Sequence, residues 1–188
     1  MKLDLLKASL EAAPVMRRGE YVYFIHQLTD SIPPIDPRLL AEVCEAIEDC
    51  TDLDVDYIVT MEAMGIHISA VLSQRTHLPF NIIRKRMYGL PGEVELQQRT
   101  GYGGSKMYLN SVERGDVVTV VDAVISTGGT LIATIEALRV AGAVVKDVVC
   151  VIERGDGVEA VRKATGFKVK TLARIDVGEK VRVTGTLD

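Results

Sequence analysis

The residues best suited to chemistry lie between Asp122 and Thr130, where the chain reads Asp-Ala-Val-Ile-Ser-Thr-Gly-Gly-Thr. Ser126, Thr127 and Thr130 offer hydroxyls, and Gly128 and Gly129 let the backbone curl closely around a ligand. An amphipathic run follows at once, with Leu131, Ile132, Ile135 and Leu138 at helical spacing. A helix start presents backbone N–H groups and partial positive charge, so a loop of this composition there is an anion cradle, best matched to a phosphate. Asp122 would repel a phosphate, but its carboxylate suits sugar hydroxyls or a divalent cation. The loop has no Gly-Lys-Ser/Thr, so it is not a nucleotide P-loop, and it lacks the Gly-x-Gly-x-x-Gly of a dinucleotide turn. Thr-Gly-Gly-Thr alone would fit an ordinary βα turn; the apolar strand ending in an acid ahead of it makes the signal specific.

Two further segments could serve the same chemistry. Glu62-Ala63-Met64-Gly65 joins a strand, Tyr57 to Thr60, to a helix from Ile66 to about Gln74. Arg84-Lys85-Arg86 follows a third strand, Phe80 to Ile83, and its charges match a phosphate or pyrophosphate as well as they match a solvated edge. His67, in the first turn of the second helix, is a lone histidine whose default role is structural.

The elements needed to position these groups are legible. Val117 to Val121 is a run of β-favouring residues, expected to be a strand buried on both faces and ending at Asp122. Lys146 to Ile152 repeats the pattern, Val158 to Ala164 reads as a short helix, Lys168 to Ile175 closes the sheet, and Lys180 to Val183 adds an edge. In such units ligands bind at the carboxyl ends of the strands, so the Glu62 and Ser126 loops should face one cleft. Toward the N-terminus, residues 3–13 form a helix ended by Pro14, Glu20 to His26 is an aromatic strand, and Asp36-Pro37 starts a helix by N-cap and first-turn proline. Met87 to Ser105, with five glycines and one proline, is expected to be mobile and to serve as a lid.

At 188 residues the chain suits a single domain, residues 1–188, and a net charge of −4 argues against a nucleic-acid surface. No apolar run is long enough for a membrane span and Met1-Lys2-Leu3-Asp4 does not start a signal peptide, which predicts a cytoplasmic protein. Cys44, Cys50 and Cys150 lack metal-type spacing and read as free thiols.

Strand, acid and hydroxyl-rich Gly-Gly loop resemble the 5-phosphoribosyl-1-pyrophosphate (PRPP) motif of the type I phosphoribosyltransferases. The resemblance extends through Arg18-Gly19-Glu20-Tyr21, Glu62 to Ile66, Arg84 to Val94, Thr100-Gly101-Tyr102 and Val151 to Gly157, and is strongest to archaeal hypoxanthine/guanine phosphoribosyltransferases. Arg84-Lys85 with Leu90 to Val94 also resembles adenine enzymes, and Val59 to Glu62 with Leu172 to Ile175 resembles xanthine enzymes. The fold implied is α/β, a type I phosphoribosyltransferase-like parallel sheet flanked by helices, with a small hood and a flexible lid loop. The hood would come from about 14–35 and the C-terminal part, and the lid from about 87–105.

By that resemblance Ser126, Thr127, Gly128, Gly129 and Thr130 would hold the 5-phosphate of PRPP. Asp122 would be the acid of the catalytic site, holding ribose hydroxyls and reaching a Mg²⁺ cofactor only through PRPP. Glu62, Ala63, Met64, Gly65, Arg84 and Lys85 would bind pyrophosphate, and Tyr21, Tyr23, Phe24 and Glu153 would line the base pocket. The reaction implied is transfer of ribosyl-5-phosphate to hypoxanthine or guanine, giving IMP or GMP plus pyrophosphate, by a homodimer acting in purine salvage. An adenine or xanthine enzyme is the alternative, or a weakly catalytic PRPP-binding regulator. The last is motivated by one departure: relatives carry two adjacent acids where this chain has Asp122-Ala123. The missing carboxylate is expected to reduce turnover without abolishing PRPP binding.

Overall fold

A computed structural model describes residues 2–19, 21–100 and 103–187. Its centre is a six-stranded sheet in the order β10-β9-β8-β7-β3-β4, made from β3 (Tyr57–Met61), β4 (Phe80–Ile83), β7 (Val117–Ile125), β8 (Val144–Arg154), β9 (Lys170–Val177) and β10 (Val181–Thr186). All neighbours are parallel except the β9–β10 edge pair. The apolar runs seen in the sequence follow from this arrangement, because helices or the hairpin cover both faces and every side chain of a central strand must be compatible with burial. Val148 to Ile152 accordingly have no exposed surface.

One face carries α1 (Asp4–Glu11), α3 (Pro37–Cys50) and α4 (Ile66–Thr76), packed through Leu6, Leu10, Val43, Ile47, Ile68 and Leu72. α3 starts as anticipated: Asp36 accepts from Arg38 N–H at 2.9 Å and Pro37 fills the first helical position, where no amide hydrogen is required. The other face carries α5 (Gly129–Ala141) and α6 (Gly157–Thr165), with Leu131, Ile135, Leu138 and Val161 buried against the sheet. All three cysteines are free thiols, Cys44 and Cys150 buried. Among the described residues no helix is long and apolar enough to cross a membrane.

Three elements depart from the sequence expectation. β7 does not stop at Asp122 but runs on to Ile125, because β8 is long enough to keep pairing it through Ile125 and Glu153. The aromatic strand β2 (Tyr21–Phe24) has an antiparallel partner, β1 (Val15–Arg18), across the turn at Gly19, and is followed by a short helix α2 (Gln27–Asp30); Glu20 lies outside the described residues. The glycine-rich segment contains a regular hairpin, β5 (Val94–Thr100) with β6 (Gly103–Leu109), whose Leu96, Met107 and Leu109 join the core beneath α5. Alternation of Val94 and Leu96 with Glu95 and Gln97 was the overlooked strand signal. Gly101 and Tyr102, part of the family resemblance, lie outside the described residues.

Candidate active site

Ser126 to Gly128 connect β7 to the start of α5, as the sequence required. Thr127 is exposed and its hydroxyl accepts from Gly129 N–H at 3.5 Å. The first intrahelical bond of α5 runs from Ile132 N–H to Gly128 O at 2.9 Å, so the N–H groups ahead of Ile132 form the donor end of the helix. Gly128 has φ +80°, and a Cβ there would also lie 2.7 Å from the carbonyl oxygen of Gly157. The reverse holds at Gly157, where a Cβ would lie 2.4 Å from Ser126 O and 2.9 Å from Gly128 N. Two glycines distant in sequence therefore let the start of α6 lie directly against the loop, a contact that sequence spacing alone did not suggest.

Asp122 stands at the head of this loop, half-buried, with Oδ1 accepting from Ala123 N–H at 2.8 Å. Burial pushes its carboxyl up to about 7, opposed only in part by that hydrogen bond. Ala123 is fully buried and packs with Val121, Val149 and Val151 in the core under α3 and α4. A carboxylate at this position would enter an apolar environment.

The second loop, Glu62 to Gly65, leaves β3 and enters α4, and the Glu62–Ala63 peptide is cis. Gly65 has an ordinary helical φ of −86°; its need for glycine is spatial. A Cβ would fall 2.0 Å from Thr60 Oγ1, 3.1 Å from Val121 O and 3.2 Å from Asp122 Oδ1. That convergence places the Glu62 loop and the acid of the PRPP-like motif in one site. Arg84 is brought in by β4, next to β3, and its Nε meets Glu62 Oε2 at 2.9 Å while Lys85 N–H donates to the same oxygen at 3.2 Å. The Lys85 amide, then Arg84, hold the Glu62 carboxyl below its ordinary range. Met64 is exposed, as are Met87, Tyr88 and Leu90 beyond Arg84.

The base-side residues are less uniform. β2 lies against β9, and α2 against β7. Tyr23 is half-buried opposite Met16, whereas Phe24, facing the other way, packs on the core with its ring 6.5 Å from that of His26. Strand alternation thus puts Phe24 and Tyr23 on opposite faces of the hairpin. The Tyr21 backbone pairs with Arg18, and its side chain lies outside the described residues. Glu153 is engaged by Thr171, whose hydroxyl donates at 3.0 Å, with Arg174 Nε at 3.7 Å. His67, half-buried in α4, has a buried Nε2 without a hydrogen-bond partner among the described residues, and desolvation lowers its pKa. Thr60 and Gly157 shape these loops; both lie in stretches that carry the family resemblance, which gave them no role.

Comparison with known proteins agrees with this geometry. Residues 36–181 match the family described as phosphoribosyl transferase domain. A hypoxanthine/guanine phosphoribosyltransferase of Methanocaldococcus infernus is 56% identical over 92% of this chain and 94% of its own length. One from Methanothrix thermoacetophila is 56% identical over 95% of this chain and 93% of its own. In fold, the chain is similar to the crystal structure of adenine phosphoribosyltransferase from Thermoanaerobacter pseudethanolicus, with TM-score 0.74, 19% identity and coverage of 92% and 99% of the two chains. Matched along most of its length by sequence and by fold, the chain belongs to the phosphoribosyltransferase family, with archaeal hypoxanthine/guanine phosphoribosyltransferases among its relatives.

Proposed function

We propose that the protein transfers the ribosyl-5-phosphate group of PRPP to hypoxanthine or guanine, releasing pyrophosphate and forming IMP or GMP. The observation that carries this reading is the meeting of Thr60, Val121 and Asp122 around Gly65, which joins the anion-suited loop before α5 to the Glu62 loop and Arg84. Such a cleft suits a sugar bearing phosphate at one end and pyrophosphate at the other.

The 5-phosphate sits at the donor end of α5, held by the Ser126 to Thr130 backbone and hydroxyls. Asp122 accepts from the ribose hydroxyls. As the C1–O bond breaks, positive charge grows on the ring and negative charge on the departing pyrophosphate. Arg84, Lys85 and the Ala63 to Gly65 backbone stabilise the second, with Glu62 orienting Arg84. Its carboxylate is spent on that arginine and does not touch the anion. Residues about 87–105 serve as the lid that excludes water, and the β1–β2 hairpin, with Tyr23, as the hood over the base.

Mg²⁺ fits the residues present as an ion carried by the substrate. Among the described residues no group of three acids, histidines or cysteines forms a cage, which suits a Mg²⁺ held chiefly by phosphates, with Asp122 reaching it only through PRPP. When bound it would neutralise charge on the leaving pyrophosphate. The exposed Met64, Met87, Tyr88 and Leu90 beside Arg84 support a homodimer with the seam at this edge, and the enzyme is assigned to the cytoplasm.

Incubation with PRPP, Mg²⁺ and each of hypoxanthine, guanine, adenine and xanthine, followed by nucleotide separation, tests the reading. IMP and GMP are expected. Product from adenine or xanthine alone reassigns the base, and PRPP binding with no nucleotide from any base makes the protein a regulator.

A further inference from the structure

Thr60 is wholly buried in β3, yet its hydroxyl oxygen has no hydrogen-bond partner among the described residues. A buried, unmade hydrogen bond costs stability, and valine would fill the same volume without that cost. The hydroxyl also occupies a particular place: it lies 2.0 Å from the point where a Cβ on Gly65 would sit, and Asp122 Oδ1 lies 3.2 Å from that same point. The void left by the absent Gly65 side chain is thus shared by an unpaired donor and a carboxylate. Only one hydrogen bond to that carboxylate is found among the described residues, from Ala123 N–H. An ionised carboxylate can accept several.

We propose that Thr60 is a positioning residue: once a sugar phosphate occupies the cleft, its hydroxyl donates to Asp122 and holds the carboxylate toward the sugar hydroxyls. Both oxygens border the space that glycine keeps open, so no side chain stands between them there. Gly65 and Thr60 form one device, the first supplying room and the second the donor. The inference rests on Asp122 being the acceptor for the ribose hydroxyls.

The test compares wild type, Thr60→Val and Thr60→Ser by calorimetric titration with PRPP and Mg²⁺, by steady-state kinetics and by thermal melting. Thr60→Val should melt at or above the wild-type temperature, because it removes an unpaired hydroxyl. Its Kd and KM for PRPP should rise roughly tenfold or more, as expected for loss of one charge-assisted hydrogen bond, while the KM for the purine changes less than about twofold. Thr60→Ser, which keeps the hydroxyl, should return PRPP binding to within about threefold of wild type. The inference is overturned by unchanged PRPP binding in Thr60→Val, by a parallel rise in both KM values, or by failure of serine to restore binding. Wild type that does not bind PRPP at all would instead bring down the functional reading of the cleft.

Discussion

The two loops of the site are built on the same plan, a parallel strand delivering a short turn to a helix start, yet each requires glycine for a different reason. Before α5, Gly128 is needed both for its φ of +80° and because the backbone of Gly157 leaves no room for a side chain. Before α4, Gly65 has a φ that any residue adopts, and what excludes a side chain is chiefly the Thr60 hydroxyl. Their charges differ too. Ser126 to Thr130 contain no ionisable group; the other loop starts with Glu62, bonded to Arg84 and to the Lys85 amide. In the proposed reaction the first would hold the phosphate that stays and the second would bring cations to the group that leaves.

The contrast can be broken most severely at the glycines. Gly65→Ala and Gly128→Ala should each lower kcat/KM by more than about a hundredfold, since backbone strain or a lost contact of a few kcal/mol reaches that factor. Their suppressors should differ. Adding Thr60→Ala to Gly65→Ala removes the atom met at 2.0 Å and should recover part of the melting temperature, whereas side-chain trimming cannot move the Gly157 carbonyl that opposes Gly128→Ala. Equal recovery of both would erase the distinction.

Next in size is Ala123→Asp, on the strand feeding the phosphate loop. An acid here places a carboxylate among Val121, Val149 and Val151, so denaturant unfolding should show a loss of roughly 2–4 kcal/mol, and because the side chain faces the core, the gain in turnover that the sequence alone would predict should not appear. A stable, faster variant would show that relatives use this position in the same setting. Asp122→Asn should weaken PRPP binding about ten- to a hundredfold, by loss of charge-assisted hydrogen bonds to the sugar. The free carboxyl titrates at about 7, and the bound state requires it ionised, so wild-type affinity should rise with pH through that value. The asparagine variant should lack that step; a step that persists would assign it to another group. Smallest is Glu62→Gln. Its ion pair is partly exposed on both sides, so stability should shift by less than about 1 kcal/mol. Pyrophosphate affinity should fall only severalfold as Arg84 loses its orientation, and an unchanged value would show that Glu62 does not position it.

Legibility followed the range of the interactions. Asp36-Pro37 announced a helix start, and Val117 to Val121 a buried strand, because caps, fixed φ values and apolar periodicity act between near neighbours. The β1–β2 hairpin was half visible, through the aromatic strand but not its partner. His26 gave no local sign of its role: it is 2% exposed, its Nδ1 accepts from Leu28 N–H, its ring meets Ser9 of α1, and burial lowers its pKa to about 4. The Leu28 contact is a local cap of α2, but Ser9 and the burial come from packing against a separate element.

From the sequence alone came the parallel α/β class and the placing of both anion-suited loops at strand ends. These depend on residue type, spacing and the preference of a helix start for anions. Folding alone decided that Ala123 faces the apolar core, that Phe24 is turned inward, and that Gly65 brings Thr60 and Asp122 around one small space. Each depends on which atoms of distant strands and helices come within a few ångströms, a property of packing that no local pattern carries.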